Sequence, residues 1–490
     1  MNRKKAYIVV LTMVSFVACG QAQEVGDNIW GMTVNAAGIG RDTVSTHGMV
    51  GVRTSHTAGE LHRVQDGGQK NSVGFTAEKW QTIGQKLSVS GSFEFEANRT
   101  KDRAWADVLR PYESNPFISG SSVKGKYDTQ MFCLKAQMSS LPIGRMTYGM
   151  GLEYTVGDLS RLKDPRSRVE LAEYALRPAV TFEANDAVVL GLEWHYSRRK
   201  EKLIGLTTVA DDANLTYYVM SGLENAIGTL GGYSAYSRQY VSHTIGIEVS
   251  SRLKKDNVCN LTSIGLEGER EYIEGSNRYQ PGRYFSRTIS MCSKTWTKSL
   301  TCITKAYHNQ AYADQYKQVL QTTKDSETGV ETKTWQTQIR YDKRWQMKKT
   351  TATIEVMTKH LGLHYDLRDV RMRHVVPLSE MNYCQMTIMA MGRASGRRNN
   401  FLWRGDGRVG FSGATSTKLK LNNADAPMAK EVLEEDMNVI AKNIIPMIVD
   451  ISLGREAWHG TTVWLNIGGK LLLTEGINRR TSNVSLTIEF

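Results

Sequence analysis

The sequence contains no apolar run long enough to cross a bilayer as a helix. The longest such run, Ala6–Ala18, covers 13 residues, whereas a membrane-spanning helix needs about 20. The mean hydropathy of −0.39 likewise argues against a helical membrane protein. The sequence also lacks repeats of solenoid length and low-complexity tails, so a repeat architecture is not indicated.

The short apolar run predicts export from the cytoplasm. It follows three basic residues and precedes a Gly-Gln-Ala segment, which is the pattern of a secretory signal peptide. We expect residues 1–22 to be cleaved off between Ala22 and Gln23, with lipidation at Cys19 as the alternative. Removal of this segment lowers the net charge from +13 to +10. In an exported protein this excess favours anionic solutes or lipid phosphates over nucleic acid, or it reflects solvated basic loops.

The remaining cysteines are scattered and odd in number, and no CxxC pair or zinc spacing occurs among them. A disulfide between Cys292 and Cys302 across a hairpin is one interpretation. The preferred interpretation is that all of them are small strand residues with free thiols. They are Cys133, Cys259, Cys292, Cys302 and Cys384.

What the sequence does contain is a long series of alternating segments. In the last one, apolar residues alternate with polar ones from Val484 to Phe490, and residues 187–199 show the same alternation. A period of two is that of a strand with two different faces. The chain is therefore predicted to be all-β, with one apolar and one polar face on each strand.

The connections between these strands alternate in length. Short turns fall near residues 84, 142, 186, 255, 299 and 348, and between them lie links that are long or polar, at 100–127, 158–167, 200–237, 322–330, 366–378 and 423–440. Short turns on one side and long loops on the other are typical of outer-membrane barrels. For residues 46–490 we predict a transmembrane antiparallel up-and-down β-barrel of about 18 strands, within a range of roughly 14 to 18. Residues 23–45 are expected to form an N-terminal lead-in or plug segment.

One long link differs from the others. After Pro427, apolar residues recur at helical intervals from Met428 to Ile440. We therefore predict one short helix in this outer loop. An even number of strands places both termini on the periplasmic side, together with the short turns.

Several short motifs give the chain a resemblance to a known family. The motifs occur in a fixed order and end on Phe490; they are Asn35-Ala36-Ala37-Gly38, His62–Gly67, Asn115-Pro116-Phe117 and Asp164-Pro165-Arg166. This order resembles an uncharacterised family of bacterial outer-membrane β-barrel proteins from gut-type anaerobes, often encoded beside TonB-dependent receptors. The resemblance implies contact with outer-membrane lipid and lipopolysaccharide, and insertion by the outer-membrane assembly machinery with Phe490 as the terminal signal. It suggests a link to a TonB-dependent receptor system and implies no reaction or ligand.

Catalytic and metal-binding motifs are missing from the sequence. Neither GxSxG nor HExxH occurs, and the GxGxxG match at 405–410 runs into a strand-like segment. His195 lies on the polar face of its strand, where a serine or carboxylate partner would make a hydrolytic site. A lumen histidine with satisfied hydrogen bonds is the simpler interpretation. We expect no enzyme, no cofactor and no metal site.

One strand supports an anion-contact hypothesis. In residues 331–346, Arg340 and Arg344 share a polar face, opposite a face that carries aromatic residues. Two arginines on the lumen side would form an anion-selective ladder. The alternative is a structural ion pair with an acid such as Glu355 on the neighbouring strand.

A barrel of about 18 strands is wide enough for an aqueous lumen. The first functional hypothesis is therefore a passive channel, or an accessory barrel for small-solute uptake with a preference for anions. The second is a non-transport receptor or a structural component of an outer-membrane complex. The third, an outer-membrane hydrolase, depends on His195.

Overall fold

The computed structural model describes residues 30, 33–41, 46–84, 86–112, 115–209, 214–231, 236–275, 281–457 and 460–490. The predicted cleavage site at Ala22 and Gln23, and Cys19, lie outside these residues. In chain order the strands are β1 (His47–Gly59), β2 (Gln69–Ile83), β3 (Leu87–Arg103), β4 (Ser119–Ser121), β5 (Gly125–Ser140), β6 (Met146–Arg161), β7 (Arg166–Asn185), β8 (Val188–Thr207), β9 (Thr216–Met220), β10 (Ala226–Leu230), β11 (Arg238–Lys255), β12 (Val258–Gly275), β13 (Gly282–Trp296), β14 (Leu300–Lys324), β15 (Glu331–Thr358), β16 (Leu361–His374), β17 (Ser379–Arg398), β18 (Phe401–Lys420), β19 (Ile445–Glu456), β20 (Thr462–Leu473) and β21 (Asn478–Glu489).

All of these strands except β4, β9 and β10 form one closed antiparallel sheet of 18 strands. The barrel closes where β1 pairs with β21, from Met49 opposite Glu489 to Gly59 opposite Arg479. Backbone hydrogen bonds in both directions between Gly48 and Phe490 extend this seam by one more residue pair. The predicted fold class and number of strands are confirmed.

The wall is apolar outside and polar inside. On β8, Leu192 and Trp194 are 44% and 46% exposed, whereas their neighbours Glu193 and His195 are only 0% and 5% exposed. A water-soluble protein shows the opposite distribution. An outward apolar face around a polar interior is the pattern of a barrel whose outer surface contacts hydrocarbon.

The two ends of the barrel differ in their connections. At one end, which we call the turn end, the connections have five residues or fewer. The first strand begins at this end, at His47, and the last strand finishes there, next to Phe490. At the other, the loop end, the longest connections are 104–124, 208–237 and 421–444. The prediction that the longest loops share one end is confirmed, although the connections 162–165, 375–378 and 474–477 at that end are short.

One predicted turn is wrong. The sequence places a turn near residue 348 and a long link at 366–378, but β15 continues through residue 348 and β16 occupies most of the predicted link. The turn lies at residues 359–360. The polar residues around 348 had indicated a turn. Lys349 instead faces the lumen, where a charged side chain is compatible with a continuing strand.

The predicted helix in the long link 421–444 is present. It begins as a π-helical segment, Ala429–Glu434, and continues as an α-helix, Glu435–Ala441. Near the amino terminus, Ala36–Gly40 forms a 3-10 helix. Within the described ranges, no helix has both the length and the apolarity needed to cross a bilayer. The five cysteines within the described residues are free thiols, as preferred from the sequence.

Arginine at Leu486 tests the outward face. Leu486 lies on β21 between Val52 and Leu465 and is 50% exposed on the outside of the barrel. We expect Leu486→Arg to lower the free energy of unfolding by about 2–4 kcal/mol, because the charge would face hydrocarbon. The measurement is a urea titration of the barrel folded in lipid vesicles, followed by tryptophan fluorescence.

The matched control is Val330→Arg, at the exposed tip of the β14–β15 hairpin beyond the end of the neighbouring strands. This control should change stability by no more than about 0.5 kcal/mol. An equal loss in the two variants would mean that the outward face does not contact hydrocarbon.

Candidate functional site

The inner wall is apolar at the loop end. Met347 on β15 lies opposite Met372 on β16, which in turn lies opposite Met381 on β17, so three methionines stand side by side at one level. Trp345 lies two residues before Met347 on the same face of β15, nearer the loop end, and is 4% exposed. Other strands contribute further buried apolar residues to the same cluster, among them Tyr240, Ile273, Tyr284, Ala311 and Ala313.

Three loop-end segments fill the space inside this apolar wall. They are the described residues of 104–121, that is 104–112 and 115–121, which include β4; 214–230, which includes β9 and β10; and 423–441, which includes the helix. We call these three segments the plug. The strand pairs β4–β9 and β9–β10 join the first two into a small sheet. The plug and the wall share one hydrophobic cluster, in which plug residues such as Trp105, Phe117 and Val432 are 1%, 2% and 2% exposed.

The helix of the plug buries the face predicted from its periodicity. Its buried side chains point into the same cluster as the wall methionines, and they are Met428, Val432, Leu433, Met437 and Ile440. Glu431, on the same helix, accepts a hydrogen bond from the indole nitrogen of Trp105 at 3.1 Å. Apolar packing and this contact therefore hold the helix against the segment 104–121.

Asp436 ties the helix to two other loop-end connections. Its carboxylate accepts hydrogen bonds from the Val64 backbone N–H at 2.8 Å and from the Tyr112 hydroxyl at 2.9 Å. The Arg63 guanidinium lies 3.4 Å from the centre of the Tyr112 ring. Burial raises the pKa of Asp436 to about 6, although the Val64 N–H, Arg63 and Tyr112 all favour the charged form.

A second buried carboxylate fixes the small sheet of the plug to the wall. Asp107 accepts hydrogen bonds from the hydroxyls of Tyr127 on β5, at 2.8 Å, and Tyr217 on β9, at 3.0 Å. Arg161 on β6 donates to the Tyr127 hydroxyl at 2.8 Å. Nearby, Arg238 on β11 donates to the Phe117 carbonyl at 2.6 Å. Polar contacts therefore anchor the plug to several strands.

A chamber of about 130 Å³ remains between the plug and the β15–β17 wall. Its apolar lining includes Trp345 and five methionines, which are Met220, Met347, Met372, Met381 and Met428. Three cationic residues, Arg63, Lys349 and Arg368, also line it, together with one described acid, Asp436. Apolar walls with a few polar groups are typical of small-molecule sites.

A second cavity of about 130 Å³ lies next to the chamber and is polar. Met347 and Lys349 line both cavities, so the two are neighbours. The remaining lining of the second cavity is mostly hydroxyl, amide and carboxylate groups, from Thr244, Glu267, Glu269, Tyr284, Ser286, Thr288, Tyr307 and Asn309. The lumen therefore changes from apolar to polar at the level of Lys349.

His195 faces the lumen, as predicted, but has acidic neighbours. Its two ring nitrogens lie 3.3 Å from a Glu193 oxygen and 3.4 Å from a Glu267 oxygen. Arg177 lies 3.3 Å from the same Glu193 oxygen. This arrangement is an ion-pair network, and no serine hydroxyl of the described residues hydrogen-bonds to the imidazole.

The two arginines of the anion-contact hypothesis lie at the loop end of β15. Arg344 Nε donates to Asp314 at 2.6 Å, and Arg283 donates to the other oxygen of the same carboxylate at 3.1 Å. Arg344 thus has an ion pair, with Asp314 as the acid. Glu355 lies on β15 itself and contacts His364 at 3.5 Å. The side chain of Arg340 lies outside the described residues, and anion contact by either arginine stays a prediction.

The described amino-terminal residues lie inside the turn end. Arg41 donates to Glu183 and Thr181, both at 2.6 Å, and Ser139 donates to the Ala37 carbonyl at 3.0 Å. Gly149 on β6 permits this approach, because a Cβ there would stand 2.3 Å from the Ala37 nitrogen. These contacts place residues 33–41 against the inner face of β5–β8.

Phe490 lies at the turn end with its side chain on the outside, where it is 50% exposed. The Lys79 ammonium is 5.0 Å from the centre of its ring, and a Cβ at Gly48 would collide with that ring. The role of Phe490 as an assembly signal stays a prediction.

The chamber residues were not identified as a set from the sequence. Met347, Met372 and Met381 lie on three different strands and are not neighbours along the chain, but they are adjacent in the wall. The helical spacing after Pro427 was the available signal for the plug. In the sequence, Asp436 is only one member of an acidic run. Its hydrogen bonds depend on two loops that are distant from it along the chain.

One protein-family model matches residues 36–490 and is described as "Family of unknown function (DUF6850)". No curated protein sequence matches the chain. Solved structures that resemble it include the outer membrane transporter YddB from Escherichia coli, with 9% identity and a TM-score of 0.40 over 90% of this chain and 80% of that one. The siderophore receptor PirA from Acinetobacter baumannii has 11% identity and a TM-score of 0.40, over 91% and 81%. The FrpB iron transporter from Neisseria meningitidis has 9% identity and a TM-score of 0.42, over 94% and 83%. Similarities of this size indicate neither a ligand nor a mechanism.

The raised pKa of Asp436 predicts a pH-dependent plug. An opened plug would return this carboxyl to its ordinary pKa near 4, whereas the closed plug holds it at about 6. The closed plug then binds more protons between these values, so it loses stability as the pH rises from about 4 to 6 and changes little above that. The full effect is at most about 3 kcal/mol.

Hydrogen exchange of the amides in 429–441, corrected for intrinsic rates and compared with amides of β8, measures this dependence. Protection should fall across the window in the natural protein and become independent of pH in Asp436→Asn. Glu434→Gln, on the exposed side of the same helix, is the matched control and should retain the dependence. An unchanged pH profile in Asp436→Asn would contradict the assignment.

Proposed function

Because the chain belongs to the DUF6850 family, whose function is unknown, we propose a function from the barrel's own geometry. The protein is a bacterial outer-membrane barrel that binds a small solute in the loop-end chamber and admits it when the plug moves. The observation that carries this proposal is the shared hydrophobic cluster of plug and wall, with a lined chamber between them. The turn end faces the periplasm and the loop end faces outward.

The outward apolar face supports the membrane location. Hydrocarbon offers no hydrogen-bond partner to the backbone, so a membrane-spanning sheet must close on itself, as this one does at the β1–β21 seam. Export by the signal peptide at residues 1–22 and assembly with Phe490 as the terminal signal belong to the same proposal. The link to a TonB-dependent receptor system rests on the family resemblance alone.

The plug favours a gated barrel over a passive channel. A passive channel needs a continuous aqueous path, whereas here the loop end holds an apolar cluster with side chains that are almost fully buried. The contacts of Asp436 and Asp107 hold that cluster in place. Passage of a solute therefore requires the plug to move.

A hairpin beyond the barrel wall favours a second candidate, a receptor or structural partner in an outer-membrane complex. Among the described residues, 317–324 of β14 pair only with 331–338 of β15, because the pairing with β13 and β16 stops before them. The hairpin thus extends roughly 25 Å past its neighbours. Two unpaired strand edges can each accept a strand from another protein.

Conductance in planar bilayers tests the gated barrel. The mature protein should be silent, and a variant with residues 424–441 replaced by an equally long Gly/Ser linker should conduct, because the linker cannot refill the apolar cluster. The matched control replaces 319–336, an equal number of residues in the projecting hairpin, and should stay silent. Heat-modifiable migration in gels confirms that each barrel is folded.

A stable conductance in the natural protein would support a passive channel and contradict the gated barrel. Silence of both folded variants would mean that the helix does not close the lumen. The hairpin variant also tests the second candidate. A partner that co-purifies with the natural protein should be lost with 319–336, and its retention would rule the hairpin out as the docking element.

A further inference from the structure

We propose that the loop-end chamber binds a small aromatic or aliphatic carboxylate, with its apolar body among the methionines and its carboxylate at Arg368 and Lys349. This inference rests on the proposed function, because it names the ligand class of the same chamber.

The apolar part of the chamber suits a compact hydrocarbon body. The side chains of Met347, Met372 and Met381 form its wall, and Met220 and Met428 approach from the plug. Methionine is flexible and polarisable, so it adapts to ligand shape and makes favourable contacts with aromatic rings. The volume of about 130 Å³ is close to that of an engineered apolar cavity that binds benzene, which is about 150 Å³.

The register arranges charge in order along the lumen. The methionine level is followed, toward the turn end, by Lys349 opposite Val370. Two residues further toward the turn end, Thr351 lies opposite Arg368. A ligand with an apolar body toward the loop end and a negative group toward the turn end matches this order.

Arg368 is a cation that lacks a negative partner. Among the described residues its guanidinium makes no ion pair, and its Nε is buried without a hydrogen-bond acceptor. The ring of Tyr383 lies 5.8 Å from the guanidinium carbon. Opposite Arg368, the hydroxyl of Thr351 is also buried without a partner. Two neighbouring donors of this kind are costly unless an acceptor satisfies them.

The acid in the chamber is already engaged. Asp436 accepts two hydrogen bonds, from the Val64 N–H and the Tyr112 hydroxyl, and it makes no ion pair with Arg368. A bidentate carboxylate is the group that fits a guanidinium best. Thioethers are also ligands for soft cations such as Cu(I), but Arg368, which makes no ion pair among the described residues, disfavours a positively charged occupant beside it.

Binding of three matched probes tests the charge preference. The probes are 4-fluorobenzoate, 4-fluorobenzyl alcohol and 4-fluorobenzylamine, titrated by 19F NMR against the full mature protein in lipid nanodiscs, with empty nanodiscs subtracted. We expect the anion to bind at least tenfold more tightly than the alcohol and the amine not to bind. Equal affinities for the anion and the alcohol would overturn the proposal, as would saturable binding of Ag(I) in preference to the anion.

Substitution of Arg368 tests the location. Arg368→Gln should weaken binding of 4-fluorobenzoate about tenfold and leave the alcohol unchanged, because only the charge partner is lost. Arg368→Lys should retain much of the preference for the anion. The matched control is Arg371→Gln, on the same strand but 66% exposed and paired with Asp369, and it should bind like the natural protein. An unchanged anion affinity in a folded Arg368→Gln would place the carboxylate elsewhere.

The outcome separates this inference from the gated barrel. If the helix-replaced variant conducts but the natural protein shows no preference for the anion, the ligand class is wrong and the gating stands. If the anion binds through Arg368 but the helix-replaced variant stays silent, the ligand class stands and the gating fails.

Discussion

The wall must satisfy its own backbone, because the hydrocarbon around it supplies no hydrogen bonds. Closure at the β1–β21 seam meets this requirement for the part of the sheet that forms the barrel wall. The same surroundings invert the usual distribution of side chains, so leucine and tryptophan face outward while glutamate and histidine face inward.

An inward-facing polar wall needs partners for its charges. At mid-height these partners are other wall residues, as in the network of Arg177, Glu193, His195 and Glu267. Near the loop end the inner wall becomes apolar, and there it packs against the buried apolar side chains of the plug. The plug therefore sits where the wall can offer a hydrophobic surface. Asp436 and Asp107 then supply the directional contacts that fix it.

The chamber occupies the boundary between these two regions. Its methionines belong to the apolar loop end, whereas Lys349 belongs to both the chamber and the polar cavity beside it. A boundary of this kind favours a ligand with an apolar and a charged part. It also explains why Arg368 can lie next to an apolar wall, since its strand passes from one region into the other within two residues, from Arg368 to Val370.

The sequence by itself determined the barrel class, the strand alternation, the sorting of loops by side and the helix after Pro427, because each of these depends on local periodicity or connection length. The inward position of His195 followed from the same period of two. Only the tertiary structure decided the acidic neighbours of His195, the ion pair of Arg344 with Asp314, the strand that continues through residue 348 and the methionine chamber. These features depend on the register between strands and on how far each loop folds inward, and contacts between residues distant in the chain set both.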